Sequence, residues 1–109
     1  MSAVSTALEK AAAENRAALI GYLPAGFPDK DTAIQAALAM AQAGADVIEV
    51  GLPYSDPLMD GPVIADAVYR ALAGGTRIKD VFDTVEAISN AGTASVVMTY
   101  SAPPRAASW

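Results

Sequence analysis

Three carboxylates cluster in one short stretch of the chain, Val47 to Pro62, which has the sequence "VIEVGLPYSDPLMDGP". Glu49 lies inside an apolar run, and Asp56 and Asp60 follow in a proline-containing loop. Burial raises the pKa of a carboxyl group towards neutral pH, and such a group can both donate and accept a proton. The stretch therefore predicts acid–base chemistry, unless Glu49 is a structural residue that pairs with a cation such as Arg16 or emerges at the end of a strand.

The chain lacks the residues or motifs that several other kinds of catalytic or binding site require. The chain has no histidine, so Ser55 cannot belong to a Ser-His-Asp nucleophile, and it has no cysteine, so thiolate chemistry is excluded. Glu49, Asp56 and Asp60 could gather around magnesium, but their spacing matches no established ligand loop, and we predict no metal. Asp56 precedes proline and Asp60 precedes glycine, which are also common turn positions. Nothing resembles a glycine-rich phosphate cradle, so no nucleotide cofactor is predicted.

Length, composition and charge narrow the class of protein. The chain has 109 residues, 53% of them hydrophobic and 17% charged, which is typical of one globular domain. A net charge of -5, without any basic run, argues against nucleic acid as a partner. The N-terminus has no signal-peptide pattern, and no apolar stretch is long enough to cross a bilayer. These features predict a cytoplasmic protein with no membrane association.

The elements that must position the carboxylates follow from the apolar periodicity and the stop signals. After a first helix, short apolar strands alternate with amphipathic helices, and glycines or prolines mark the ends. The predicted elements are a helix over 6–15 with the capping-box spacing of Thr6 and Glu9, a strand over 17–23, a helix from Asp29 or Asp31 to Gly44, a strand over 45–51, a helix from Pro62 to Gly74, a helix capped by Thr76 and ending at Asn90, and a strand over 94–100.

This order predicts an α/β fold with parallel strands joined by right-handed crossovers. Glu49 then lies two residues before the end of the second strand. Catalytic groups in such folds gather at the carboxyl ends of the strands, which favours a functional role for Glu49. Three strands alone leave two unpaired sheet edges.

Three segments carry a resemblance to a known family: "ALIGYLPAGFPD", "AGADVIEVGLPYSDPLMDGPVI" and "VVMTY". They closely resemble the N-terminal part of the tryptophan synthase alpha chain family, over about residues 16–100. The resemblance implies a TIM barrel that cleaves indole-3-glycerol phosphate to indole and glyceraldehyde 3-phosphate. It also implies an α2β2 complex, in which pyridoxal phosphate belongs to the beta chain and the alpha chain has no cofactor.

The resemblance further implies roles for individual residues. Glu49 matches the acid–base glutamate of the family, and Asp60 matches the aspartate that stabilises the indole N–H. The positions that line the indole pocket correspond to Tyr22, Met98 and Tyr100, although ordinary strand packing also accounts for such residues. In the loop that contacts the beta chain, the matching residues are Pro53 and Asp56.

The segment after Tyr100 departs from the family. "SAPPRAASW", residues 101–109, replaces the expected entry into a helix, and we expect 1–109 to form a single partial barrel domain, cut within its third βα unit. A complete TIM barrel needs about 250 residues and binds phosphate with later loops, so we expect this chain alone to be inactive. The alternatives are a catalytically dead half-barrel that only associates or binds a beta chain, and another phosphate-binding barrel lyase or isomerase.

Overall fold

A computed structural model describes residues 2–54 and 61–99 of the chain. Four helices and three strands follow one another in the order α1, β1, α2, β2, α3, α4, β3. Their bounds are α1 Ala3–Ala13, β1 Ile20–Pro24, α2 Lys30–Gln42, β2 Val47–Gly51, α3 Pro62–Ala73, α4 Ile78–Asn90 and β3 Ala94–Met98. The predicted order of elements is confirmed, with each strand two residues shorter than expected and β1 shifted towards the C-terminus to 20–24 from the predicted 17–23.

The three strands form one parallel sheet in the order β1-β2-β3. Val47 on β2 lies opposite Ile20 on β1 and Ala94 on β3, and the register continues without a bulge to the carboxyl ends. Parallel pairing requires a crossover between successive strands, and α2 and the α3–α4 pair supply the two crossovers. The predicted α/β fold with three parallel strands is therefore confirmed.

The hydrophobic core lies between one face of the sheet and the helices α2 and α4. Leu23, Ile48 and Val50 point from the strands into this layer. The helices contribute Ala33 and Ala37 from α2 and Val81 and Ile88 from α4. Small residues on α2 let the helix approach the strands closely, and the larger residues of α4 fill the remaining space.

Most helix ends follow the predicted signals. Asp29 caps α2, because its side chain accepts a hydrogen bond from the Thr32 N–H at 2.8 Å. Gly44 follows the same helix with a φ of 112°, a left-handed conformation that glycine adopts without the cost of a side chain. Pro62 begins α3 directly after its N-cap, Gly61.

Two predicted caps are wrong. α1 begins earlier than Thr6, because the Ser2 side chain accepts from the Ser5 N–H at 3.0 Å, while the Thr6 hydroxyl donates to the Ser2 carbonyl at 3.1 Å within the helix. At α4, Thr76 is not the N-cap, which is Arg77. The Asp80 side chain accepts from the Arg77 N–H at 2.9 Å.

Charged residues join the amino ends of α2 and α4. The Lys30 ammonium lies 2.6 Å from Asp83 and 3.3 Å from Asp80. Lys79 adds a contact of 3.1 Å to Asp83 from one helical turn away. The hydrogen bond from Lys30 lowers the pKa of Asp83, and the backbone N–H of Arg77 is the main cause of the lowered pKa of Asp80.

Phe82 is a large apolar residue of α4 that lies outside its buried face. It is 60% exposed, whereas Val81 and Ile88 are buried.

No helix within the described ranges combines the length and the apolar character needed to cross a membrane.

Candidate functional site

Glu49 lies on the face of the sheet opposite the helical core. Its neighbours in sequence, Ile48 and Val50, are fully buried against α2 and α4, and side chains alternate between the two faces of a strand. Glu49 therefore projects from the other face, where it is half-buried. It lies two residues before the end of β2, as predicted.

Tyr22 shares this face with Glu49. The two residues are direct register partners across the β1–β2 pair, so their side chains leave the sheet on the same side. The Tyr22 ring extends towards the carboxyl end of β2 and lies over Gly51, where an added Cβ would come within 2.9 Å of the ring carbon Cζ. An aromatic ring and a carboxylate thus lie side by side near the carboxyl ends of the strands.

Met98 completes this face on the third strand. It is the register partner of Gly51, one pleat beyond the row formed by Tyr22, Glu49 and Val96. Met98 is 49% exposed and Val96 is 38% exposed. The structure thus brings together three of the predicted site residues, Tyr22, Glu49 and Met98, on one face of the sheet.

Backbone hydrogen bonds hold the carboxyl ends of the strands in register. The Ala25 N–H donates to the Gly51 carbonyl at 2.9 Å, and the Leu52 N–H donates to the Met98 carbonyl at 2.8 Å. Pro53 is buried directly after these contacts. The first residues of the loop after β2 are therefore fixed to the sheet.

Arg16 is not a partner of Glu49, which corrects one of the alternatives considered for that carboxylate. Arg16 forms two hydrogen bonds with Asp46, each 2.9 Å long, and contacts Glu14 at 2.8 Å. Asp46 precedes β2, so this pair lies at the amino end of the sheet. Within residues 2–54 and 61–99, no ion pair to Glu49 is found.

The contact between Arg16 and Asp46 shifts the pKa values of both residues. Asp46 accepts hydrogen bonds from Arg16 and from the Leu19 N–H, which lower its pKa to about 2. The hydrogen bond to Asp46, followed by the one to Glu14, raises the pKa of Arg16 further above its usual value. This pair stabilises the amino end of the sheet, away from Glu49. The spacing of the two residues in the sequence does not predict that they pair.

Asp56, Asp60 and Tyr100 lie outside the described residues, as does the 101–109 segment. Their predicted roles in catalysis, substrate binding and partner contact stay predictions. Among the residues that are described, no group of three or more acidic side chains is placed to hold a metal ion.

Sequence reasoning missed Gly51. The residue ends the strand that carries Glu49, and it was interpreted only as part of an apolar strand. One signal could have pointed to it. The glycine follows a candidate catalytic residue by two positions, and the neighbouring predicted strand carries a tyrosine.

Comparison with known proteins gives consistent results. The family model for the tryptophan synthase alpha chain matches residues 8–106. The alpha chain of Mycobacteroides abscessus is 57% identical over 95 residues, covering 87% of this chain and 36% of the relative. For the Thermobifida fusca alpha chain the identity is 55% over 103 residues, covering 94% of this chain and 38% of the relative.

A solved structure supports the same assignment. Tryptophan synthase from M. tuberculosis in an aminoacrylate-bound form superposes with a TM-score of 0.88 at 53% identity, covering 92% of this chain and 41% of the matched chain. This chain therefore spans well under half the length of the relatives that it matches. Because the family model covers most of its residues, the chain belongs to the tryptophan synthase alpha chain family.

Proposed function

We propose that this chain carries the acid–base part of a carbon–carbon lyase site, which cleaves indole-3-glycerol phosphate to indole and glyceraldehyde 3-phosphate. The observation that carries the proposal is the position of Glu49. It is a half-buried carboxylate beside Tyr22, on the same face as Met98, at the carboxyl end of parallel strands in a chain of this family. Active sites of TIM-barrel enzymes are built at this end of the strands.

Glu49 moves two protons in the proposed reaction. It first protonates C3 of the indole ring, and the ring nitrogen then carries developing positive charge. The resulting carboxylate accepts the proton of the hydroxyl on the adjoining glycerol carbon, while the bond from that carbon to C3 breaks. The bonding electron pair returns to the ring as indole, and the hydroxyl carbon becomes the aldehyde of glyceraldehyde 3-phosphate.

The remaining roles are assigned by family resemblance. Asp60 stabilises the positive charge on the indole N–H, because an ionised carboxylate placed beside a developing cation lowers the barrier. Tyr22, Met98 and Tyr100 contact the indole ring. Pro53 and Asp56 contact a beta chain that holds pyridoxal phosphate, within an α2β2 complex. The predicted location is the cytoplasm, where a biosynthetic enzyme without a cofactor of its own would act.

A polypeptide of these 109 residues supplies only part of such a site. The described residues include three strands, whereas a TIM barrel closes with eight and commonly binds phosphate after strands 7 and 8. We propose that residues 1–109 act as one partial barrel domain that lacks turnover when tested alone.

The test uses a chimera that supplies a complete barrel. Residues 8–100 of this chain replace the corresponding residues of the Thermobifida fusca alpha chain, and indole release from indole-3-glycerol phosphate is measured with and without a beta chain. We expect turnover in the chimera and none in the 109-residue chain. A folded chimera without turnover would refute the lyase assignment, and turnover by the isolated chain at the chimera's rate would refute the partial-site proposal.

A second candidate is a module that associates but has no activity. Apolar side chains on the Glu49 face and at the β3 edge are exposed, among them Ile20 at 49% and Val97 at 40%. The sheet formed by the described residues leaves β1 and β3 each with one unpaired edge. Such edges and faces favour association. Size-exclusion chromatography of the isolated chain decides this point: a defined dimer supports it, and a cooperative monomer argues against it.

A further inference from the structure

The glycine at the end of β2 provides the space that Tyr22 occupies. An added Cβ at Gly51 would lie 2.9 Å from Cζ and 3.0 Å from Cε2 of the Tyr22 ring, with the hydroxyl oxygen closer still. Contacts below 3.0 Å are essentially never made by real Cβ atoms, so an alanine there would force the ring to move. Because the ring is rigid, it can yield only by rotation of the whole side chain.

Backbone conformation does not explain the glycine. The glycines with positive φ in the described ranges are Gly26, Gly44, Gly75 and Gly92. Gly51 instead pairs in regular parallel register with Pro24 and Met98. Any residue could adopt this strand backbone, so the absence of a side chain matters for space rather than for φ.

We propose that Gly51 is a positioning residue, which seats the Tyr22 ring over the end of β2 and thereby sets the space available beside Glu49 on this face of the sheet. Glu49 and Gly51 are alternate residues of one strand, so a Cβ at Gly51 would project into the same face as the carboxylate. A flat bicyclic substrate would need the space that a displaced tyrosine ring fills. This inference rests on the proposed function for its substrate, although the Gly51–Tyr22 contact is independent of it.

The first test is steric and needs no catalysis. Gly51→Ala is made in the 109-residue chain with Tyr22 intact, with Tyr22→Phe and with Tyr22→Leu, and thermal unfolding midpoints are compared. Tyr22→Phe removes the hydroxyl but leaves Cζ and Cε2, whereas Tyr22→Leu removes the ring. We expect Gly51→Ala to lower the midpoint most with Tyr22 intact, less with Tyr22→Phe and least with Tyr22→Leu.

Gly74→Ala is the matched control. Its added Cβ would meet only Arg70 and Ala71 carbonyl oxygens, at 3.4 and 3.6 Å, which are ordinary contacts. Its effect should not depend on the residue at position 22. Should Gly51→Ala prevent folding with Tyr22 intact, folding in the Tyr22→Leu background supports the proposal. An equal loss in all three backgrounds, or no loss in any, overturns it.

The second test separates positioning from general stability. In the chimera, Gly51→Ala should raise KM for indole-3-glycerol phosphate about tenfold with a smaller change in kcat, because substrate binding loses space while Glu49 stays in place. Measured against the Tyr22→Leu single variant, Gly51→Ala should raise KM much less than it does with Tyr22 intact, because the ring that it displaces is absent. A fall in kcat at unchanged KM would overturn the positioning role. A chimera inactive before any substitution would count against the proposed function alone, since the midpoint series still decides the Gly51–Tyr22 pairing.

Discussion

Glu49 and Tyr22 lie directly opposite each other in the parallel β1–β2 pair, and both side chains leave the sheet on the face away from the helical core. The carboxylate thus has an aromatic neighbour, and its strand neighbours Ile48 and Val50 are buried on the other side. Under the proposed function, this relationship places the aromatic ring beside the carboxylate that would transfer protons.

Glu49→Gln should abolish most turnover in the chimera, because an amide cannot exchange a proton near neutral pH. General acid–base catalysis contributes about 100-fold to 10,000-fold, so kcat should fall at least about 100-fold while the fold stays intact. Indole release measures the rate, and circular dichroism checks the fold. Glu86→Gln, an exposed carboxylate on α4, serves as the control and should leave kcat unchanged. Retained turnover in Glu49→Gln would contradict the assigned role.

Asp46 should make the protein sensitive to acid. Its pKa in the folded chain is about 2, below the value of about 3.9 for an unfolded aspartate, so the folded state binds fewer protons between these values. The stabilisation is complete above the unfolded pKa and is lost as pH falls through the folded one. Asp46→Asn should lower the thermal midpoint by several degrees at pH 7.

The pH profile of that difference is the measurement. Midpoints of the parent and of Asp46→Asn, recorded from pH 7 down to pH 2, should converge as the carboxyl group becomes protonated. Glu86→Gln provides a charge-matched control, which should track the parent throughout. A gap between parent and Asp46→Asn that is constant over the whole range would show that the charge of Asp46 does not stabilise the fold.

Ile48 should be among the residues most sensitive to truncation, because it is fully buried between the central strand and two helices. Ile48→Ala should cost about 2–5 kcal/mol of unfolding free energy, and Ile48→Val about 0.5–1.5 kcal/mol. Urea unfolding gives both values. Val63→Ala is the control: Val63 is 81% exposed, and its truncation should change stability by less than about 0.5 kcal/mol. Equal effects at the two sites would contradict the position of the core.

Gly26 should be harder to replace than Gly75, although both have positive φ. A Cβ at Gly26 would lie 2.7 Å from Cγ2 of Thr76, whereas one at Gly75 would meet nothing within 4 Å. Gly75→Ala therefore measures the backbone strain alone, about 1–2 kcal/mol. Gly26→Ala should cost more than this, by urea unfolding. Similar costs would show that the β1–α2 loop can move away from Thr76.

The order of elements was predictable because apolar periodicity and stop signals are local properties. Alternation of short apolar strands with amphipathic helices indicated the parallel sheet, and Gly44 and Pro62 lie at helix boundaries as expected. The start of α1 was not predictable from Thr6 and Glu9 alone. Ser2 offers a competing cap, and its side chain accepts the hydrogen bond from the Ser5 N–H.

Contacts between distant residues were harder to predict. Glu49 was placed at a strand end from its sequence position, but Arg16 could have paired with several carboxylates, and only the folded chain selects Asp46. The steric pairing of Gly51 with Tyr22 depends on the register of two strands and on the rotamer of the ring. Neither property is encoded in local spacing.

The Arg16–Asp46 pair also bears on how this scaffold could be altered. Asp46 and Gly51 are separated by about 17 Å along the chain of β2, at 3.3 Å per residue. Substitutions this far apart, without shared partners, usually have additive effects. Stabilising changes at the amino ends of the strands can therefore be combined with substitutions at their carboxyl ends. Under the proposed function, a chain made more stable around Arg16 would tolerate more changes around Glu49, including destabilising ones that alter substrate preference.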